Sequence, residues 1–120
     1  MLKPIPSRIL KHDITLNICT GVDVWQNPSY QTKTISRVVM QPCHETRRTA
    51  ENTEVVLRAM CFIDARRSTP LLDYWGLQKL SELNGHVMTL TFGSDSFSVI
   101  TVDKLFDDEG ILHHWELGLV

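Results

Sequence analysis

Residues 21–30 read GVDVWQNPSY, and this stretch decides how the chain folds. Gly21, Asp23, Asn27, Pro28 and Ser29 all favour turns, through positive φ, a fixed φ, or short side chains that bond the local backbone. Trp25 and Tyr30 are large rings that bury area best against another surface. On either side the sequence alternates. Upstream, His12, Ile14, Leu16 and Ile18 interleave with Asp13, Thr15, Asn17 and Cys19, the period of a half-buried strand. Downstream, residues 31–41 are rich in Thr, Ile and Val and stop at Pro42, which reads as a second strand. A turn-rich connection between two alternating strands marks a β-rich binding protein more readily than an enzyme built around a buried acid–base pair.

The same period recurs along the chain. In Glu54–Asp64, Val55, Leu57, Ala59, Cys61 and Ile63 form one face, and Val56, Arg58, Met60 and Phe62 form the other. That suits a central barrel strand, or a strand whose second face meets a partner subunit. Residues 87–92 and 97–102 form a hairpin across the GSDS connection, and residues 111–120 close the chain with Trp115, Leu117 and Leu119 on one face. Between them, FDDEG at 106–110 reads as an acidic turn. Residues 69–83 give the one helical period: Leu72, Trp75, Leu80 and Leu83 share a face, Pro70 suits a first turn, and Asn84 with Gly85 supplies a stop. On that face Trp75 is expected in the core, while Tyr74 lies at a connection. Phe92, Phe97 and Trp115 are expected in the core from their strands. About six short strands with regular turns predict a mainly β domain, a small barrel or sandwich with one short helix near residues 69–83. It spans residues 1–120 as one unit. Residues 1–7 form an extended arm, because Pro4 and Pro6 fix φ and hold their predecessors out of helix.

Composition narrows the function classes. Hydrophobic residues make up 42% and charged residues 22%, as in an ordinary globular fold. The net charge of −2 carries no basic footprint for avid nucleic-acid binding. Cys19, Cys43 and Cys61 have no paired spacing and read as reduced thiols. No apolar run reaches the ~20 residues of a membrane span, and the prolines of MLKPIPSRIL interrupt any signal-peptide core.

Catalytic signals are weak. The sequence contains no GxSxG, HExxH, GxxxxGK[ST] or GxGxxG run. His113 and His114 are adjacent, so a regular strand sends them to opposite faces. Cys43 and His44 supply only two of the ligands that zinc needs. Neither an enzymatic activity nor a cofactor or metal is expected. Residues 42–53, PCHETRRTAENT, lack hydrophobic periodicity and read as a long polar loop, either a functional projection or a solvated connection.

Four segments carry a resemblance: LKPIPSRILKHDITL, GVDVWQNPSY, FIDARRSTP and SFSVITVDKLFDDEGILHHWELGLV. Together, and in this order, they resemble a tailed-bacteriophage minor capsid protein family, in particular head-completion or head–tail connector (stopper) proteins. Residues 71–84 depart from it in being longer and more helical. The resemblance implies a structural virion protein of the neck, held in the host cytoplasm before assembly. Copies would form a ring below the portal, extend the DNA channel, retain the packaged DNA and dock the tail. Its partners would be further copies of itself, portal and tail proteins and, in passing, DNA; no membrane is involved. In such a ring Leu2, Pro4, Ile5 and Pro6 of the arm, with Trp25 and Tyr30, are the candidate assembly contacts. His44, Arg47 and Arg48 would face the channel, where the arginines meet phosphates or acidic partner residues. The alternatives are a tail-terminator or tail-completion ring protein and a cellular β-barrel binding module.

Overall fold

The structure, a computed structural model, describes residues 5–6, 8–49, 51–70 and 72–120. Six antiparallel strands close into a barrel: β1 (His12–Val22), β2 (Pro28–Arg48), β3 (Glu54–Asp64), β4 (Thr89–Phe92), β5 (Asp95–Phe106) and β6 (Leu112–Leu119). Their order around the wall is β1-β2-β3-β6-β5-β4. The mainly β expectation is thus met by a closed barrel. Period-two alternation explains its core. Ile14, Leu16 and Ile18 of β1, Ala59, Cys61 and Ile63 of β3, and Trp115, Leu117 and Leu119 of β6 all point inward, and every strand adds to the same cluster. Phe92 and Phe97 pack against that cluster from its margin, while Trp115 lies inside it.

β2 is the organising strand. It is 21 residues long and serves two hairpins, pairing with β1 along residues 28–38 and with β3 along residues 38–48. Arg37 sits at φ 62° where the register with β1 shifts, a bulge that turns the strand from one neighbour toward the other. Each end of β2 continues as a two-stranded hairpin past the pairings of β1 with β4 and of β3 with β6; Arg47 in the second hairpin reaches Asp103 of β5, and the molecule measures 49 × 31 × 29 Å.

The polar loop expected over residues 42–53 is a correction. β2 runs on to Arg48, β3 begins at Glu54, and only the turn between them is irregular. Thr49 N–H donates to the Thr53 carbonyl at 2.9 Å, and Thr53 N–H reaches Thr49 Oγ1 at 3.3 Å. Residues 41–48 are largely exposed on both faces, so nothing selects an apolar alternation there. Pro42, which cannot donate, is accommodated beside a register shift between residues 42 and 45.

The helix, α1 (Tyr74–Leu83), is shorter than 69–83 and inverted relative to the predicted face. Its buried residues are Tyr74, Gln78 and Ser81, while Trp75 is 49% and Leu83 86% exposed. The reason lies in what the helix covers. It lies against strand backbone as well as apolar side chains, and exposed strand edges need hydrogen-bond donors and acceptors. Gln78 Nε2 donates to the carbonyls of Val99 (3.4 Å) and Ile100 (3.0 Å). Ser81 Oγ accepts Cys19 N–H at 3.1 Å and donates to the His86 carbonyl at 2.7 Å. Gly76 falls in the first turn, where its N–H bonds the capping Asp73 carboxylate at 3.2 Å.

Candidate assembly surface

The β1–β2 arm ends in a turn built by one carboxylate. Asp23 Oδ1 accepts the N–H groups of Trp25 (2.8 Å) and Asn27 (2.9 Å), and Asp23 N–H donates to the Asn27 carbonyl at 3.1 Å. The Asn27 N–H, above all, holds the Asp23 carboxyl below its ordinary range. Gln26 takes the positive φ of 66°. Trp25 is left 80% exposed at the tip, beside an equally exposed Val24. A buried apolar ring would be unremarkable; a Trp held out on a hydrogen-bonded turn is poised for contact. Tyr30 lies exposed farther down the arm, with its hydroxyl 3.5 Å from His86 Nδ1.

The N-terminal arm divides between described and undescribed residues. Leu2 and Pro4 lie outside the described residues. Ile5 is anchored on its own barrel: its N–H donates to Asp64 Oδ2 at 2.7 Å, and its carbonyl accepts Arg67 Nη1 at 3.3 Å. Pro6 follows it into a turn, with its carbonyl accepting Ile9 N–H at 3.1 Å. Ile5, Ile9, Val39, Gln41, Phe62 and His114 line an apolar hollow on that side.

His44, Arg47 and Arg48 lie on the β2–β3 arm, on a paired strand and not on a loose loop. Arg47 reaches Glu45 at 3.1 Å and Asp103 at 3.7 Å. Arg48 bonds the Asn52 side chain at 3.1 Å and approaches Glu54 at 4.0 Å. Any phosphate or acidic partner would therefore compete with carboxylates of the same chain, although exposed pairs of this kind are weak. The structure places the Trp25 turn and the Arg47–Arg48 turn at the two ends of β2 and does not bring them together.

Two features escaped the sequence. Asp64, on a strand otherwise read by its apolar face, is fully buried and organises the chain crossing after β3. The histidines are the second, and here the expectation of opposite faces is overturned. Leu112 pairs with Phe106 and His114 with Leu105, leaving His113 as the extra residue at a register shift. That irregularity brings the two Nδ1 atoms to 2.8 Å. One of them must carry the bonding proton.

Burial, chiefly, lowers the affinity of His114 for a proton; His113 adds to this, and Glu116 and Asp64 oppose it. A histidine with a lowered native pKa gives stability that is present above its unfolded value near 6.5 and lost as pH falls through the native value. Thermal melts between pH 8 and 5 should therefore show stability falling on the acid side. His114→Gln should flatten that slope; an unchanged slope would remove His114 from the account.

Cys19, Cys43 and Cys61 form no disulfide, and burial raises the Cys61 thiol pKa so that it stays protonated. Among the described residues no group of three or more His, Cys, Asp or Glu side chains is arranged to hold a metal ion. No helix among them is long and apolar enough to cross a membrane. No protein-family model, curated protein or solved structure matches the chain.

Proposed function

We propose that this chain is a structural subunit of a tailed-phage neck, assembling with further copies into a ring below the portal. The observation that carries the reading is the pair of hairpin arms at the two ends of β2, one of which presents Trp25 on an ordered turn. A subunit in a ring touches a neighbour on each side through two different surfaces, and the two hairpin ends of β2 are the surfaces this reading uses. The four-segment resemblance supplies the virion context.

The test is size-exclusion chromatography with light scattering, with and without a cognate portal ring. The protein alone should run as a monomer or weak oligomer and should bind the portal in many copies. No association at micromolar concentration, with the protein folded, would overturn the reading. Trp25→Ala should weaken assembly by about 2 kcal/mol, on the order of 30-fold, as removal of a central aromatic anchor does. Its own stability should change by no more than about 0.5 kcal/mol, since the ring packs on nothing in the monomer.

A further inference from the structure

Of the two rings of α1, Tyr74 is buried and Trp75 is half-exposed. Trp75 stands between two adjoining hollows beside β5, of about 290 Å³ and about 320 Å³, and Val102 and Asp103 line both. The first is a cleft between α1, β5 and the β2–β3 turn, whose Arg48, Thr49 and Glu51 come beside the helix. One face of the ring carries Lys79 Nζ, 5.4 Å from its centre. Lys79 lines only the first hollow, which leaves the second to the other face. One polar group in the cleft is fixed and unspent. Gln78 lines it and is 5% exposed. Its Nε2 donates to the carbonyls of Val99 and Ile100, and that sets which way the amide points. No described group donates to its Oε1, yet the one sealed orphan among the described polar side-chain atoms is Thr101 Oγ1. The amide oxygen is therefore an acceptor held open to the cleft, and it needs a ligand that donates.

We propose that this cleft binds a neutral saccharide, with one pyranose ring stacked on Trp75 and one hydroxyl donated to Gln78 Oε1. The C–H face of a sugar ring packs against an indole, and its hydroxyls both donate and accept. The walls suit such a ligand. Arg48, Lys79 and Lys104 are matched by Glu51, Glu82 and Asp103, three cations against three anions, so the lining carries no net charge. Ion pairs hold several of them: Lys79 to Glu82 at 3.8 Å, Arg48 to Glu54 at 4.0 Å and Asp103 to Arg47 at 3.7 Å. A carboxylate or a phosphate dianion would meet no net attraction and would offer Gln78 no proton. A nucleobase would stack on Trp75 too, but its polar edge lies in one plane. Here polar side chains line the hollows on both sides of the ring. Hydroxyls set around a sugar ring reach both.

Each hollow lies near the lower end of small-ligand sites, roughly 300 Å³, so the site takes one or two sugar units and binds them weakly. The inference stands apart from the neck reading, because its test needs only the purified chain. Nitrogen–proton correlation NMR would follow titrations with maltotriose, cellotriose and tri-N-acetylchitotriose. At least one of them should shift the Trp75 indole N–H together with the amides of Gln78 and residues 100–103, saturating with a Kd on the order of 1 mM. The indole of Trp25, an exposed ring with no such walls, should stay in place and serves as the internal control. Trp75→Ala should weaken the binding on the order of 10-fold, read at the amides of residues 100–103. Trp75→Phe keeps a smaller stacking face in an intact helix and should lose less. AMP, titrated in the same way, should bind more weakly than the preferred sugar. No shift at these positions with any of the three sugars would overturn the proposal. So would equal shifts at Trp25, an affinity unchanged by Trp75→Ala, or tighter binding of AMP, which would make the cleft a nucleotide site.

Discussion

Tyr74→Ala should destabilise the protein by about 3–5 kcal/mol, the cost of emptying a fully buried aromatic site. The melting temperature should fall on the order of 10–20 °C. Tyr74 is 1% exposed and stands edge-on to Trp115 with ring centroids 5.3 Å apart. Its hydroxyl donates to the Pro70 carbonyl at 3.0 Å, and burial holds that phenol above its ordinary pKa. The ring is the fully buried apolar anchor of α1; Leu77 packs partly buried against the same core, and the other buried residues, Gln78 and Ser81, make polar contacts. Losing it should loosen the helix from the strands it covers and expose the backbone of Cys19 and Ile100. Tyr74→Phe separates the two contributions, since it keeps the ring and gives up one hydrogen bond worth about 1 kcal/mol. Chemical denaturation measures both; a loss below about 1 kcal/mol for Tyr74→Ala would mean that the helix is not held by this contact.

Asp64→Ala should cost a similar amount, about 3–5 kcal/mol, by a different route. Asp64 is fully buried, and its carboxylate accepts three backbone N–H groups: Ile5 at 2.7 Å, Arg66 at 2.7 Å and Arg67 at 2.9 Å. Its own N–H donates to Ser68 Oγ, which in turn donates to the Arg37 carbonyl at the β2 bulge. Alanine leaves three donors without an acceptor and frees Ile5 from the barrel. Asp64→Asn retains an acceptor oxygen and should cost less. Amide exchange at Arg66 and Arg67 is the direct readout. Protection that survives Asp64→Ala would show that water, or another group, replaces the carboxylate at little cost.

How much of this was legible depended on what each residue faces. Strand Glu54–Asp64 could be bounded to the residue, because a barrel wall with one face in the core imposes period two. The arms could not. Where β2 leaves the wall, both faces meet solvent, so CHETRR reads as a loop although it is paired. The helix misled for a related reason. Its buried face includes Gln78 and Ser81, chosen to satisfy strand backbone, so the apolar period traced through Trp75, Leu80 and Leu83 follows the exposed side. His113 and His114 defeat the alternation rule through a one-residue irregularity that no sequence period records. At the candidate surface, turn chemistry correctly read Asp23 and Asn27, and left Trp25 as the ring needing a partner.

The proposed neck role makes one demand above the others, that copies of this chain form a ring on a portal. Electron microscopy of the purified portal mixed with excess protein tests it directly. The account predicts an added ring of density below the portal, with barrels side by side and hairpin arms at the contacts between neighbours. With Trp25→Ala the same ring should need on the order of 30-fold more protein to form. A bare portal, from a mixture in which the protein remains folded, would contradict the account.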